Sequence, residues 1–226
     1  MGGPDDGLAV RRAARAQGGL TTQRTGGPQA RTRRGVVRYA GRVDSTPPAP
    51  PRYTATAIAL HWLLAAAIAA SFCAGLFMTE LQTSPLKLRL YNWHKWAGVT
   101  ILALSLLRLA WRLTHPPPPD VPTMPAWQKL AARVVHRLMY ALFIAVPLAG
   151  WAYSSAAGFP VVLFGAWPLP DFVPADKALA EAIKPLHWML AYALAGLVLL
   201  HVAAAIKHEA VDRDGLLARM WPSRAG

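Results

Sequence analysis

Residues Ala55–Met78 form a run of 24 without a single Asp, Glu, Lys or Arg. At about 1.5 Å per residue such a run crosses the roughly 30 Å of a bilayer's hydrocarbon. Inside lipid every backbone N–H and C=O must find its partner within the segment, so the run must be a helix. Three more stretches follow. Tyr91–Leu113 is apolar from Trp96 to Leu107, with Lys95 at one end and Arg108 and Arg112 at the other. A third begins near Lys129 and is uncharged from Leu138 to Pro170. Its spanning part needs to run only to about Tyr153, because Pro160, Gly165, Pro168 and Pro170 suit an irregular interfacial loop. Leu186–Ile206 is uncharged between Lys184 and Lys207. The expectation is an all-α integral membrane protein, a bundle of four transmembrane helices. Composition agrees: 54% of residues are apolar and 15% charged, where a soluble domain carries about a quarter charged.

The net charge of +13 does not point to nucleic acid. Ten of the 24 Lys and Arg fall within residues 1–52, which also hold nine of the 17 glycines and six prolines. That segment cannot bury enough apolar surface to offset its ordering entropy, and it is expected to be a disordered basic tail. Arg33-Arg34 has a twin-arginine look, but no apolar region directly follows it, and the segment is not expected to be a secretory signal either. The remaining bases flank apolar runs, where membrane lipid and topology account for them. The membrane domain is expected over residues 53–222. One cysteine, Cys73, excludes a disulfide framework, a four-thiolate cluster and a C-x-x-C-H haem attachment. It is expected to be a small packed apolar residue.

Basic residues also orient the bundle. Ten lie in the tail, five follow the second span or open the third (Arg108, Arg112, Lys129, Arg133, Arg137), and four close the chain (Lys207, Arg213, Arg219, Arg224). Only Lys87, Arg89, Lys95, Lys177 and Lys184 fall on the other side. Both termini are therefore expected in the cytoplasm, with tryptophans such as Trp93, Trp111 and Trp188 at span ends. The loop His115–Pro125, rich in proline, should be extended.

Ionisable side chains inside a membrane are costly and mark function. His61, His94, His136, His187 and His201 lie within or at the edge of spans. His187 and His201 are 14 residues apart on one helix, hence about 21 Å apart along its axis and about 40° apart around it. His61, early in the first span, is level with His201. His94, early in a second span that starts outside, is level with His187. Two histidine pairs result, one per leaflet. Two imidazoles without thiolate or carboxylate suit haem iron, whereas zinc wants four ligands and no carboxylate lies inside the spans.

Other residues stand near these depths. Arg108 returns to the face of His94 after 14 residues; it either pairs with a haem propionate or quinone headgroup, or snorkels to the surface. His136 is a rival axial ligand or a propionate or quinone partner. His208 either passes protons to a reduced quinone or is a solvated terminal histidine. Gly98, one turn after His94, either lets a porphyrin lie on the backbone or serves helix packing. Lys87, Arg89, Lys95 and Lys184 surround the outer pair, where they steer a small anion or anchor headgroups.

Several motifs carry a resemblance. Arg52-Tyr53 ahead of Leu60-His61-Trp62, His94-Lys95 with Gly98, Leu107-Arg108-Leu109 with Trp111-Arg112, Ala132-Arg133 with His136, and His187-Trp188 together resemble the prokaryotic cytochrome b561 family. The ending His201-Val-Ala-Ala-Ala-Ile-Lys-His208, then Asp212 to Asp214 and Leu217-Ala-Arg219-Met220, strengthens it. The resemblance covers about residues 52–222. It implies a four-helix inner-membrane cytochrome with two haem b groups between the helices, exchanging electrons with ubiquinone. By motif, His61, His94, His187 and His201 fall on the family's axial-ligand positions. One branch is superoxide oxidase, which passes an electron from periplasmic superoxide to quinone; Ala59 stands where that branch has serine two positions before the first ligand. Other branches are cytochrome subunits that connect hydrogenases or dehydrogenases to quinone.

The reading is a dihaem electron carrier between a periplasmic-side donor and ubiquinone, as a superoxide:ubiquinone oxidoreductase. The alternative is a relay and anchor subunit for a soluble dehydrogenase or hydrogenase-type partner. A metal-ion transporter using intramembrane histidines is the third.

Overall fold

A computed structural model of the chain describes residues 51–222. Apart from Pro51 and Arg52, the expected basic tail lies outside those residues. Four long helices follow one another: α1 (Ala55–Glu80), α2 (Pro85–Thr114), α3 (Ala126–Ala156) and α4 (Lys177–Lys207). Each is long and apolar enough to cross a membrane. Three open on a side-chain cap that accepts one of the unpaired N–H groups of a first turn. Thr54 Oγ1 takes Ala57 N at 3.2 Å, Ser84 Oγ takes Lys87 N at 3.3 Å, and Asp176 Oδ1 takes Leu179 N at 2.8 Å.

The helices outrun the apolar stretches that announce them. α2 begins six residues before Tyr91 and α4 nine before Leu186. A helix of 30 residues is roughly 45 Å long, so the extra turns, which carry Lys87, Arg89, Lys177 and Lys184, extend beyond the apolar stretches. Hydropathy marks where lipid ends, not where the hydrogen-bond ladder ends. Pro147 and Pro185 sit inside α3 and α4, which membrane helices accommodate.

α1 packs on α2, α2 on α3 and α3 on α4, while among the described residues the backbone of α4 stands off from α1 and α2. The buried core is small: Met139, Phe143 and Leu194, with Ile68 and Val198 packed against them. Most large apolar side chains face outward instead, among them Leu63, Phe77, Leu113 and Leu199, as lipid as solvent allows. Cys73 is a correction of this kind. It is exposed rather than packed, one of the α1 side chains that face outward.

Two ends of the bundle differ in their closures. At the loop end, the α3–α4 connection is more regular than the irregular loop expected. It forms a small antiparallel hairpin, β1 (Val162–Leu163) with β2 (Trp167–Pro168), turned by Phe164 and Gly165 at φ of 53° and 75°. Trp96 Nε1 donates to Val162 O at 2.7 Å, and Lys95 Nζ to the carbonyls of Phe159 and Pro160, both at 3.3 Å. At the termini end, α4 runs into a one-turn π-helix (His208–Asp212) and then α5 (Leu216–Met220). Trp62 Nε1 donates to Met220 O at 2.9 Å and Arg219 Nη1 to Pro119 O at 2.7 Å. These bonds tie α5 to α1 and to the α2–α3 loop. That loop is extended from Pro116 and then turns, with Met124 N bonded to Val121 O.

Candidate functional site

The gap between α4 and its two non-adjacent neighbours is crossed by imidazoles. At the loop end, His94 of α2 faces His187 of α4, their ring centroids 6.3 Å apart and their planes at 88°. At the termini end, His61 of α1 faces His201 of α4 at 6.2 Å and 71°. All four rings are half-buried. An imidazole nitrogen bonds a first-row metal at about 2 Å. Adding the distance from nitrogen to ring centre on each side, a linear N–metal–N axis sets centroids about 6 Å apart. Both separations fit one metal held between two rings.

The loop-end rings are held in the protonation form that ligation needs. His94 Nδ1 lies 3.1 Å from the carbonyl oxygen of Ser71 and 3.3 Å from its hydroxyl. His187 Nδ1 lies 3.1 Å from the carbonyl oxygen of Val146. A carbonyl only accepts, so each Nδ1 carries the hydrogen and each Nε2 keeps its lone pair. Metal-bound histidines are oriented by partners of this kind.

The termini end is arranged differently. Arg108 Nη1 donates to Ala57 O at 2.9 Å, and its Nη2 lies 3.3 Å from His61 Nδ1. A guanidinium only donates, so His61 Nδ1 is the acceptor and the ring hydrogen sits on Nε2. For His61 to offer Nε2 to a metal, Arg108 must release Nδ1 or the ring must lose its hydrogen. Arg108 is half-buried and turned onto α1 rather than out to the surface. A third ring, His136 of α3, stands 5.2 Å from His201, closer than a shared axial metal permits. Tyr53, Arg108, Trp111, Arg112 and Tyr140 line a narrow cleft beside this group.

His208 directly follows α4 and opens the π-helix. Its Nδ1 donates to Asp214 Oδ2 at 2.7 Å and lies 3.1 Å from Asp212 Oδ2, while Lys207 Nζ pairs with Asp212 at 2.5 Å. It is a half-buried, carboxylate-held histidine rather than a freely solvated one. Gly98 is open-sided: a Cβ there would meet nothing within 4 Å. Of the loop-end bases, Lys95 is bound to the segment that leads into the hairpin and Lys87 Nζ donates to Leu81 O at 2.6 Å. Sequence reasoning missed Ser71 and Val146, since a backbone carbonyl that fixes a ring on another helix leaves no mark in residue type.

Comparison with known proteins agrees with this architecture. The family model described as prokaryotic cytochrome b561 matches residues 52–223. Cytochrome b561 homolog 2 of Escherichia coli (strain K12) is 32% identical over 178 residues, covering 76% of this chain and 92% of that protein. Cytochrome b561 homolog 1 of the same strain is 30% identical over 177 residues, covering 76% and 98%. The probable superoxide oxidase CybB of Yersinia pestis is 30% identical over 185 residues, covering 77% and 98%.

Proposed function

The chain belongs to the prokaryotic cytochrome b561 family, and from that premise we propose that it carries electrons through two haem b groups from superoxide to ubiquinone. Membership makes it a bacterial membrane b-type cytochrome that transfers electrons; the number of haems, the ligands, the donor, the acceptor and the topology are the proposal. The observation that carries it is the pair of imidazole separations, 6.3 Å and 6.2 Å, at opposite ends of one gap. His94 and His187 would hold the haem near the periplasmic face, and His61 and His201 the one near the cytoplasm. Both termini then lie in the cytoplasm, in keeping with the excess of basic residues at the termini end.

Haem b supplies one-electron redox chemistry at its iron; the chain supplies burial, ligands and orientation. About 21 Å of α4 separates His187 from His201, so the two pairs divide the membrane between them. Each superoxide gives up one electron and leaves as dioxygen. Two such electrons and two cytoplasmic protons convert ubiquinone to ubiquinol. Arg108 and His136 stand where a propionate or quinone headgroup at the termini end would be received. His208, its Nδ1 held by Asp214, keeps Nε2 available to hand on a proton. The Yersinia pestis relative named as a probable superoxide oxidase supports superoxide as donor.

One observation favours the relay-subunit reading: Lys87 and Lys95, which would draw an anion to the loop end, direct their ammonium groups at backbone carbonyls. The test is purified, haem-loaded protein given superoxide and ubiquinone. Ubiquinol formed at one per two superoxide consumed supports the oxidoreductase. Haem that superoxide leaves oxidised, together with a co-purifying soluble redox protein, would establish the relay.

A further inference from the structure

Four glycines lie within the spanning helices: Gly75, Gly98, Gly150 and Gly196. Glycine in such helices ordinarily lets two backbones approach. Here Gly98 and Gly196 have no atom within 4 Å of a built Cβ, while a Cβ on Gly150 would clash with a histidine ring and one on Gly75 would crowd another. On Gly150 it would fall 2.8 Å from His187 Cε1 and 3.1 Å from its Nδ1; on Gly75 it would fall 3.3 Å from His94 Cε1.

The two cases share one construction. His94 lies against Ser71 O and Gly75, both on α1; His187 lies against Val146 O and Gly150, both on α3. In each helix the carbonyl and the glycine are four residues apart, and so stand one above the other on one face. A ring whose Nδ1 reaches the carbonyl must lay its Cε1 edge over the next turn. At Gly150 only glycine leaves that edge room, and at Gly75 a Cβ would push the ring by a few tenths of an ångström. No glycine of the described residues lies against His61 or His201.

We propose that Gly75 and Gly150 are positioning residues for the loop-end haem, each completing a carbonyl-plus-glycine notch that sets the plane and the Nδ1–H bond of one axial imidazole. The inference rests on the haem reading above and adds what fixes the ligand planes. The notches hold those planes at 88°. Perpendicular axial imidazoles give low-spin ferric haem an unusually high largest g value, and an Nδ1–H bond to a carbonyl makes the ligand a stronger donor, which lowers the potential.

The experiment compares full-length, haem-loaded wild type with Gly150→Ala, Gly75→Ala and, as a control for alanine in a helix, Gly196→Ala. Low-temperature EPR and redox titration are read for each. In Gly150→Ala the loop-end signal should move to a lower largest g value or vanish with that haem, and any haem retained should titrate at a higher potential. Gly75→Ala should show the same change, smaller, since its contact is looser. Gly196→Ala should match wild type, and the termini-end signal should be unchanged throughout. Wild-type loop-end spectra and potentials in both Gly150→Ala and Gly75→Ala would overturn the notch while leaving the haem reading standing. A wild type without a loop-end bis-histidine signal would overturn the haem reading and the notch with it.

Discussion

The two ends of the bundle use the same pair of residue types for opposite kinds of order. At the loop end, two imidazoles face each other at 6.3 Å, each anchored through Nδ1 to a carbonyl of a different helix, with no charge bonded to either ring. At the termini end, three imidazoles and Arg108 share the space, and the guanidinium holds the nitrogen of His61 that a carbonyl would otherwise fix. Backbone carbonyls cannot move away from a ring without unwinding a helix; an arginine side chain can. The loop end is thus built to keep one arrangement, and the termini end to exchange partners. The proposed function would need that division of labour, with a rigid electron entry at the loop end and, at the termini end, an exit where quinone binds and takes up protons.

The largest effects should come from the rings themselves. His187→Ala and His94→Ala should each remove the loop-end haem, halving haem per chain by pyridine haemochrome. At the termini end His201→Ala and His61→Ala should remove the other haem, and His136→Ala should leave both. A His136→Ala protein lacking a haem, beside a His61→Ala protein retaining two bis-histidine EPR signals, would exchange the roles of those residues.

A smaller effect is expected from Arg108→Gln. Hydrogen bonds to charged groups contribute about 1.5–3 kcal/mol, which corresponds to roughly 10- to 150-fold in a rate constant that depends on one. Quinone reduction should fall by that order and the termini-end potential should change, with the loop-end haem titrating as in wild type. Equal shifts in both haems would remove the distinction between the ends.

Arg89→Gln probes charge at the entry apart from structure, because Lys87 and Lys95 also hold carbonyls. Stopped-flow reduction of the haem by superoxide should be a few-fold slower than wild type at low ionic strength, and the difference should shrink as salt screens it. Identical salt dependence would leave these bases as headgroup anchors. The smallest effect belongs to Ser71→Ala, which removes a hydroxyl at 3.3 Å but keeps the carbonyl at 3.1 Å. Its loop-end potential, measured by redox titration, should stay at the wild-type value; a large shift would make the hydroxyl the true partner.

Much of this was legible in the chain. Uncharged runs announce the four helices, because lipid leaves a backbone no other way to pair its polar groups. Helical rise, with the opposite directions of successive spans, levels His187 with His94 and His201 with His61. What escaped reading was set by contacts that residue type does not encode. The carbonyls of Ser71 and Val146 act through the backbone. Gly75 and Gly150 look like any glycine of a membrane helix until a ring is seen lying on them, whereas Gly98, beside a histidine in sequence, faces open space. The grip of Arg108 on Ala57 and His61 depends on how closely α1 and α2 pack, which no spacing reports.

The central claim is that each imidazole pair holds one haem b without a covalent bond to the chain. Pyridine haemochrome quantitation on purified protein, followed by acid–acetone extraction, tests it most directly. Two haems per chain, with all colour passing into the organic phase, is the predicted result; one haem per chain in fully loaded protein, or colour left on the polypeptide, would contradict it.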